Sequence, residues 1–305
     1  MRRVRRSLVG VVLRAGALCS GFLWAAFLGA AFLCSGFLCS GAAAQETVAA
    51  WPQLREGASA RYRTTSVVRA EAEPPAGADA RVLQDLRVHT EETHTVVAVD
   101  ADGTAELRIE RSRVHGTMAG GALRRPVAFD TAAEGRMHPV AKGVVDLFRA
   151  ASVVRVDRTG AVLSVRKVRD DGELADADDH ERDTQQFAFV YAPALPIRVG
   201  GTWRPARGVH ECEAGGCVEL ATQNELAAAD PETLTVATVA TDGEPGAEDD
   251  ADAKHRVTRT LTLSREDGLV VAMRAGGTSR GDGIARPVSS EMVRAEPAAP
   301  GGAGR

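Results

Sequence analysis

The chain has 305 residues, with 37 Lys and Arg against 41 Asp and Glu, and only 4% aromatics. Five of the cationic residues and none of the acids precede position 45, so the remaining 261 residues carry a net charge of −9, which repels phosphate backbones and argues against nucleic acid as a partner. So few aromatic rings argue against stacking platforms for bases or sugars, and leave the core to Val, Leu and Ala.

Arg2, Arg3, Arg5 and Arg6 precede an apolar run from Leu8 to Leu38 that only Arg14 interrupts, and the run ends in Ser40-Gly41-Ala42-Ala43-Ala44. A basic start, a greasy middle and a small-residue end are the layout of a secretory signal over residues 1–44, with cleavage expected between Ala44 and Gln45. The run also reaches the roughly 20 residues that span a bilayer, so an uncleaved anchor is the competing reading, and membrane contact is expected through this segment alone. Leu33 precedes Cys34 and Leu38 precedes Cys39, which disfavours lipidation at either cysteine. Export to the periplasm or cell envelope, or beyond it to the outside, is the expected location.

Residues 45–295 read as a single β-rich domain, followed by a tail at 296–305 that is expected to be disordered. Apolar residues recur with a period of two. Val82, Leu86 and Val88 alternate with Asp85, Arg87 and His89; Leu107 and Ile109 alternate with Glu106, Arg108 and Glu110; Val257, Leu261 and Leu263 alternate with Thr and Ser. Turn signals at Asp102-Gly103, Thr159-Gly160 and Asp267-Gly268, with a fourth at Ala229-Asp230-Pro231-Glu232, predict four hairpins. The expected fold is mainly β: a large curved antiparallel meander of roughly nine to eleven strands, tending toward a half-open barrel. One or two short helices are expected, over Lys142 to Ala151 and Glu181 to Tyr191. Acidic loops are expected at Asp170 to Asp183 and Asp242 to Asp252.

The stretch Leu195-Pro196-Ile197-Arg198-Val199-Gly200-Gly201-Thr202-Trp203 resembles a Leu-Pro-x-x-Val-Gly-x-x-Trp motif of exported bacterial β-rich domains of unknown function. The Gly57 to Tyr62 strand and the repeated strand, Asp-Gly turn and strand extend the resemblance over most of residues 50 to 295. It implies export and a β-rich fold, and no activity, substrate or catalytic residue. Physically, Pro196 fixes the entry, Gly200-Gly201 bends the chain and Trp203 is expected in the core.

Cys212 and Cys217 are the cysteines that remain after the signal, and Gly215-Gly216 between them favours a tight turn, so an oxidising compartment is expected to join them as a disulfide. A metal site of His210, Glu211, Cys212 and Cys217 is the weaker reading. His89 and His94 stand five apart, which puts them on opposite faces of a strand; both are expected to be exposed. The acids between Asp170 and Asp183 lack the order of a calcium loop, and Arg280-Gly281-Asp282 is short enough to arise by chance. The part after the signal has no phosphate loop or dinucleotide loop.

These absences lead to the expectation of a non-enzymatic binding or interaction module without cofactor or metal, whose partner is a protein or an apolar ligand. A carrier of lipid or another apolar ligand would show a continuous apolar cavity of at least ~300 Å³. A secreted hydrolase would bring His89, His94, His115, His138, His210 or His255 within reach of a Ser, Asp or Glu in a cleft.

Overall fold

Alternation of apolar and polar residues builds the molecule almost entirely from strands. The computed structural model describes residues 46–72, 81–121, 123–133, 137–169, 172–177, 182, 185–186, 188–205, 209–213, 216–243, 253–281 and 283–295, with only the backbone described at 147, 149, 209–213 and 216–218. The signal and its cleavage point, the tail and most of both acidic loops lie outside these residues.

The longest elements are β2 (Ser59–Ala72), β3 (Arg81–Val99), β4 (Ala105–Gly120), β12 (Gly216–Ala229), β13 (Thr233–Thr241), β14 (His255–Ser264), β15 (Val270–Gly281) and β16 (Ile284–Ala295). Shorter strands are β1 (Thr47–Val48), β5 (Val127–Asp130), β6 (Ser152–Val156), β7 (Val162–Val168), β8 (Leu174–Asp176), β9 (Ile197–Arg198), β10 (Thr202–Trp203) and β11 (Val209–Glu213). One antiparallel sheet runs in the order β10-β12-β13-β14-β15-β16-β2-β3-β4-β6-β7-β8, with β11 on β12, β5 on β4, and β1 paired separately with β9. The described strands exceed the expected nine to eleven because several are only two or three residues long, too short to leave a periodicity. One of them, β8, lies within the stretch expected as an acidic loop.

All four expected hairpins form, joining β3 to β4, β6 to β7, β12 to β13 and β14 to β15. An aspartate side chain locks each of them: Asp102 Oδ1 accepts from Thr104 N at 2.9 Å, Asp157 Oδ1 from Thr159 N at 2.8 Å, Asp230 Oδ1 from Glu232 N at 2.8 Å and Asp267 Oδ1 from Leu269 N at 3.0 Å. Pairing of β16 with β2 joins the C-terminal strands to the N-terminal ones.

The sheet curls without closing. Val154, Val156 and Val162 at one end of the strand order and Leu226, Leu234 and Leu263 at the other belong to one buried apolar cluster. A second cluster, around Leu86, Val114, Phe129, Leu220 and Val257, fills the opposite end of the strands against helix α1 (Pro139–Arg149). That helix begins three residues earlier than its sequence pattern indicated: Pro139 occupies its first turn, and His138 Nδ1 accepts from Val140 N at 3.3 Å as the cap. It packs Ala141, Val144 and Val145 inward. The second expected helix is reduced, since residues 182, 185 and 186 are helical while Val190 and Tyr191 are not.

Candidate functional site

Between the two apolar clusters the inner face turns polar. Asn224, Thr238 and Arg259 are register partners across β12, β13 and β14, and all three are buried. Thr238 Oγ1 donates to Asn224 Oδ1 at 2.8 Å, and Arg259 donates through Nε and Nη2 to Thr238 Oγ1 at 3.3 and 3.1 Å. Burial lowers the Arg259 guanidinium to about 10. Its Nη1 also donates to Phe189 O at 3.2 Å, tying the sheet to a strap formed by residues 188–203. The strap is held at the far edge as well, where Ala192 N donates to Thr159 O at 2.6 Å and Gln186 bridges Gly160 O and Val162 N.

On β3 and β4 the polar zone becomes an ion cluster. Arg111 Nε lies 3.2 Å from Glu92 Oε2, Thr64 Oγ1 donates to Glu92 Oε1 at 3.2 Å, and Arg111 Nη1 donates to Ala150 O at 2.8 Å. His94 Nε2 lies 3.4 Å from Glu92 Oε1 in an orientation that makes no hydrogen bond. Burial pushes the Glu92 carboxyl up, but the facing His94, the Arg111 charge and the Thr64 hydroxyl outweigh it and hold the group at about 2. A β-bulge builds this cluster: Glu91 pairs with Arg113 while Glu92 pairs with Arg111, so Ser112 has no opposite residue. Arg111 therefore points inward and Arg113 outward, where it forks onto Asp130 at 3.1 and 2.6 Å and holds that carboxyl at about 2.

His94 corrects the expectation of an exposed pair. His89 and His94 do lie on opposite faces, but His94 is 7% exposed and its ring packs 4.5 Å from that of Tyr62. The Tyr62 hydroxyl donates to Val270 O at 2.9 Å. His94 also borders a small cavity of about 60 Å³ at the open end of the sheet, lined by Trp51, Leu54, Leu107, Phe189 and Leu269 among others. Trp203 shields this end from a half-buried position instead of the expected core site; its ring meets Trp51 edge-on at 5.8 Å and its Nε1 donates to Tyr191 O at 2.8 Å.

On the outer face Thr65, His89, His115 and Asp130 form a row across four strands. The His89 and His115 rings stack at 5.0 Å, and burial, then His115 and Arg87, lower the His89 imidazole. Cys212 and Cys217 are opposite each other in the β11–β12 hairpin, their side chains outside the described part, as is the His210 side chain. Arg280-Gly281 ends β15, Asp282 falling outside. Ser264 serves its turn, accepting from Glu266 N and Asp267 N. Among the described residues no group of three or more His, Cys, Asp or Glu is placed to hold a metal ion, and no helix is long and apolar enough to cross a membrane.

The β2–β16 junction has an interrupted ladder that the sequence did not announce. Ile284 and Ala285 pair with Ala72 and Glu71, and Arg294 and Ala295 pair with Tyr62 and Arg61, but the ladder is absent between. A groove of about 550 Å³ lies there, lined by Arg63, Thr65, Glu291, Val293, Arg294 and Ala295.

No protein-family model matches the chain, and no curated protein matches it. Among solved structures it is similar to one described as lipid-protein interactions in lipovitellin, with a TM-score of 0.46 and 9% identity over 81% of this chain; the chain spans 26% of that lipovitellin chain. It is also similar to Ail, the attachment invasion locus protein of Yersinia pestis, with a TM-score of 0.19 and 6% identity over 79% of this chain and 98% of that one. A third is MucB in complex with MucA, with a TM-score of 0.11 and 12% identity over 78% of this chain and 89% of that one.

Proposed function

We propose that the chain is an exported, non-enzymatic interaction module of the bacterial envelope that binds a partner on its outer surface. One observation carries this reading: the inside of the curved sheet is occupied. Two apolar clusters fill its ends, a hydrogen-bonded polar zone separates them, and the cavity at the mouth amounts to about 60 Å³. An acyl chain needs a continuous apolar space of ~300 Å³ or more. The carrier reading therefore requires Trp51 to Leu54 and the strap at Phe189 to lift away from the mouth.

A hydrolase reading would rest on His94 and Glu92. The carboxylate is already engaged by Arg111 and Thr64, and the ring packs on a tyrosine whose hydroxyl is raised by burial and occupied by Val270 O. This arrangement serves as a buried support for the sheet. Localisation follows the basic, apolar, small-residue order of residues 1–44.

The test is a titration of the processed protein with cis-parinaric acid, whose fluorescence rises in an apolar enclosure. No saturable rise is expected. Saturable uptake at one equivalent overturns the surface reading in favour of a carrier.

A further inference from the structure

We infer that the cavity at the mouth of the curled sheet is a binding site for a small, neutral phenol, whose ring enters among apolar side chains and whose hydroxyl donates to His94. The inference goes beyond the outer-surface reading and does not depend on it.

The imidazole is the first argument. The His94 side chain is 9% exposed and borders the cavity. Its Nε2 is sealed in beside Glu92 without a hydrogen bond, whereas its Nδ1 is not sealed off and accepts from none of the described residues. Glu92 is ionised, since its carboxyl is held at about 2. A lone pair facing that carboxylate would be repelled, so the imidazole hydrogen belongs on Nε2, and Nδ1 is left as an acceptor. Buried polar groups nearly always have a partner, and this one has room for a donor from outside.

The lining is the second. Trp51, Leu54, Leu107, Phe189 and Leu269 supply apolar walls, with two of the rings in a chain of only 4% aromatics. Backbone acceptors on the border are in use: Val270 O takes the Tyr62 hydroxyl, Gly160 O takes Gln186 Nε2 and Phe189 O takes Arg259 Nη1. An ordered water needs about two to four polar partners, which one free side-chain nitrogen does not supply. An apolar ring with a single donor matches the site better.

Size and charge narrow the ligand. A water-sized group takes at least ~10–15 Å³ of enclosed space, so the cavity of about 60 Å³ holds roughly four to six such groups, enough for a single ring and too little for an acyl chain. Glu92 is paired with Arg111, and Asp157 and Arg158 bring opposite charges to the rim. No excess charge is left to hold an ionised ligand. The acceptor at Nδ1 selects a hydroxyl over an ether or a ketone.

Calorimetry on the full processed protein compares phenol with fluorobenzene, a ring of similar size that has no donor. His94→Phe keeps a ring against Tyr62 and removes the acceptor; Ala188→Leu, in the cavity wall, narrows the space and leaves His94 in place. Wild type is expected to bind phenol saturably at one equivalent, at least about tenfold tighter than fluorobenzene. His94→Phe should abolish that preference, and Ala188→Leu should weaken phenol at least about tenfold. Nitrogen NMR of wild type reports independently of any variant, with phenol shifting the His94 Nδ1 resonance. The inference is overturned by absence of saturable phenol binding, by equal binding of fluorobenzene, by an Nδ1 resonance unmoved at saturating phenol, or by a preference that survives in His94→Phe. Parinaric acid uptake refutes the surface reading instead, so the two failures are distinct.

Discussion

Glu92 and Arg111 face each other from adjacent strands at 3.2 Å, with 9% and 17% of their side chains exposed, and the bulge at Ser112 is what lets both point inward. Removing one member strands the other charge inside the sheet. Glu92→Gln or Arg111→Met alone is expected to lose about 3 kcal/mol in urea unfolding, while Glu92→Leu with Arg111→Met loses less than either. Strictly additive losses would show that the two residues do not act as a pair.

The same carboxylate sets a pH dependence. Its value of about 2 in the folded protein lies below the ordinary 4.5, so its contribution is complete above roughly pH 4.5 and disappears as pH falls toward 2. Thermal unfolding between pH 6 and 2 should therefore show a steeper fall in Tm for wild type than for Glu92→Gln. Parallel curves would remove Glu92 from the acid response.

Gly160 and Gly57 both have positive φ, 85° and 78°, yet their surroundings differ. A Cβ at 160 would lie 2.1 Å from Val190 O, whereas one at 57 meets nothing within 4 Å. Gly57→Ala should cost about 1 kcal/mol for backbone strain. Gly160→Ala should cost at least about 2 kcal/mol more and speed hydrogen exchange at Val190 to Ala192. Equal costs would mean that the strap yields freely.

The register that sets Cys212 opposite Cys217 supports the proposed disulfide. Intact mass of the exported protein should fall below the reduced value by two thiol hydrogens, and Cys212→Ser with Cys217→Ser should lower stability by about 2–3 kcal/mol. Two alkylatable thiols in unreduced protein would count against the bridge.

Arg259→Met should keep the fold but release the strap, because the Phe189 carbonyl loses its donor from the sheet. The expected cost is about 2–3 kcal/mol, with the change in exchange confined to residues 188–192 and the neighbourhood of Thr238.

Alternation along Val257 to Leu263 and the Asp-Gly turns made most of the sheet legible, because facing and hairpin pairing are local properties. What escaped depends on contacts distant in sequence. A strict period of two puts Arg111 and Arg113 on the same face, and only the pairing with β3 reveals the extra residue at Ser112. His94 looked exposed because its strand neighbours are polar, but the face that it shares with Glu92 is covered by the opposite wall of the curl. The interruption of the β2–β16 ladder has no local signal beyond Pro287. The α1 start was misplaced because a Pro-led first turn with a histidine cap lacks the usual Ser, Thr or Asp.

Because β2 is completed by β16, the first long strand of the chain finds its second neighbour only after more than ~200 further residues have emerged. Assembly is accordingly dominated by a late, distant encounter, the hallmark of a slow-folding topology. During synthesis and export, the leading half carries a bare strand edge prone to sticking to other chains. A chain cut short of Ile284 would keep that edge for good and should accumulate as aggregate.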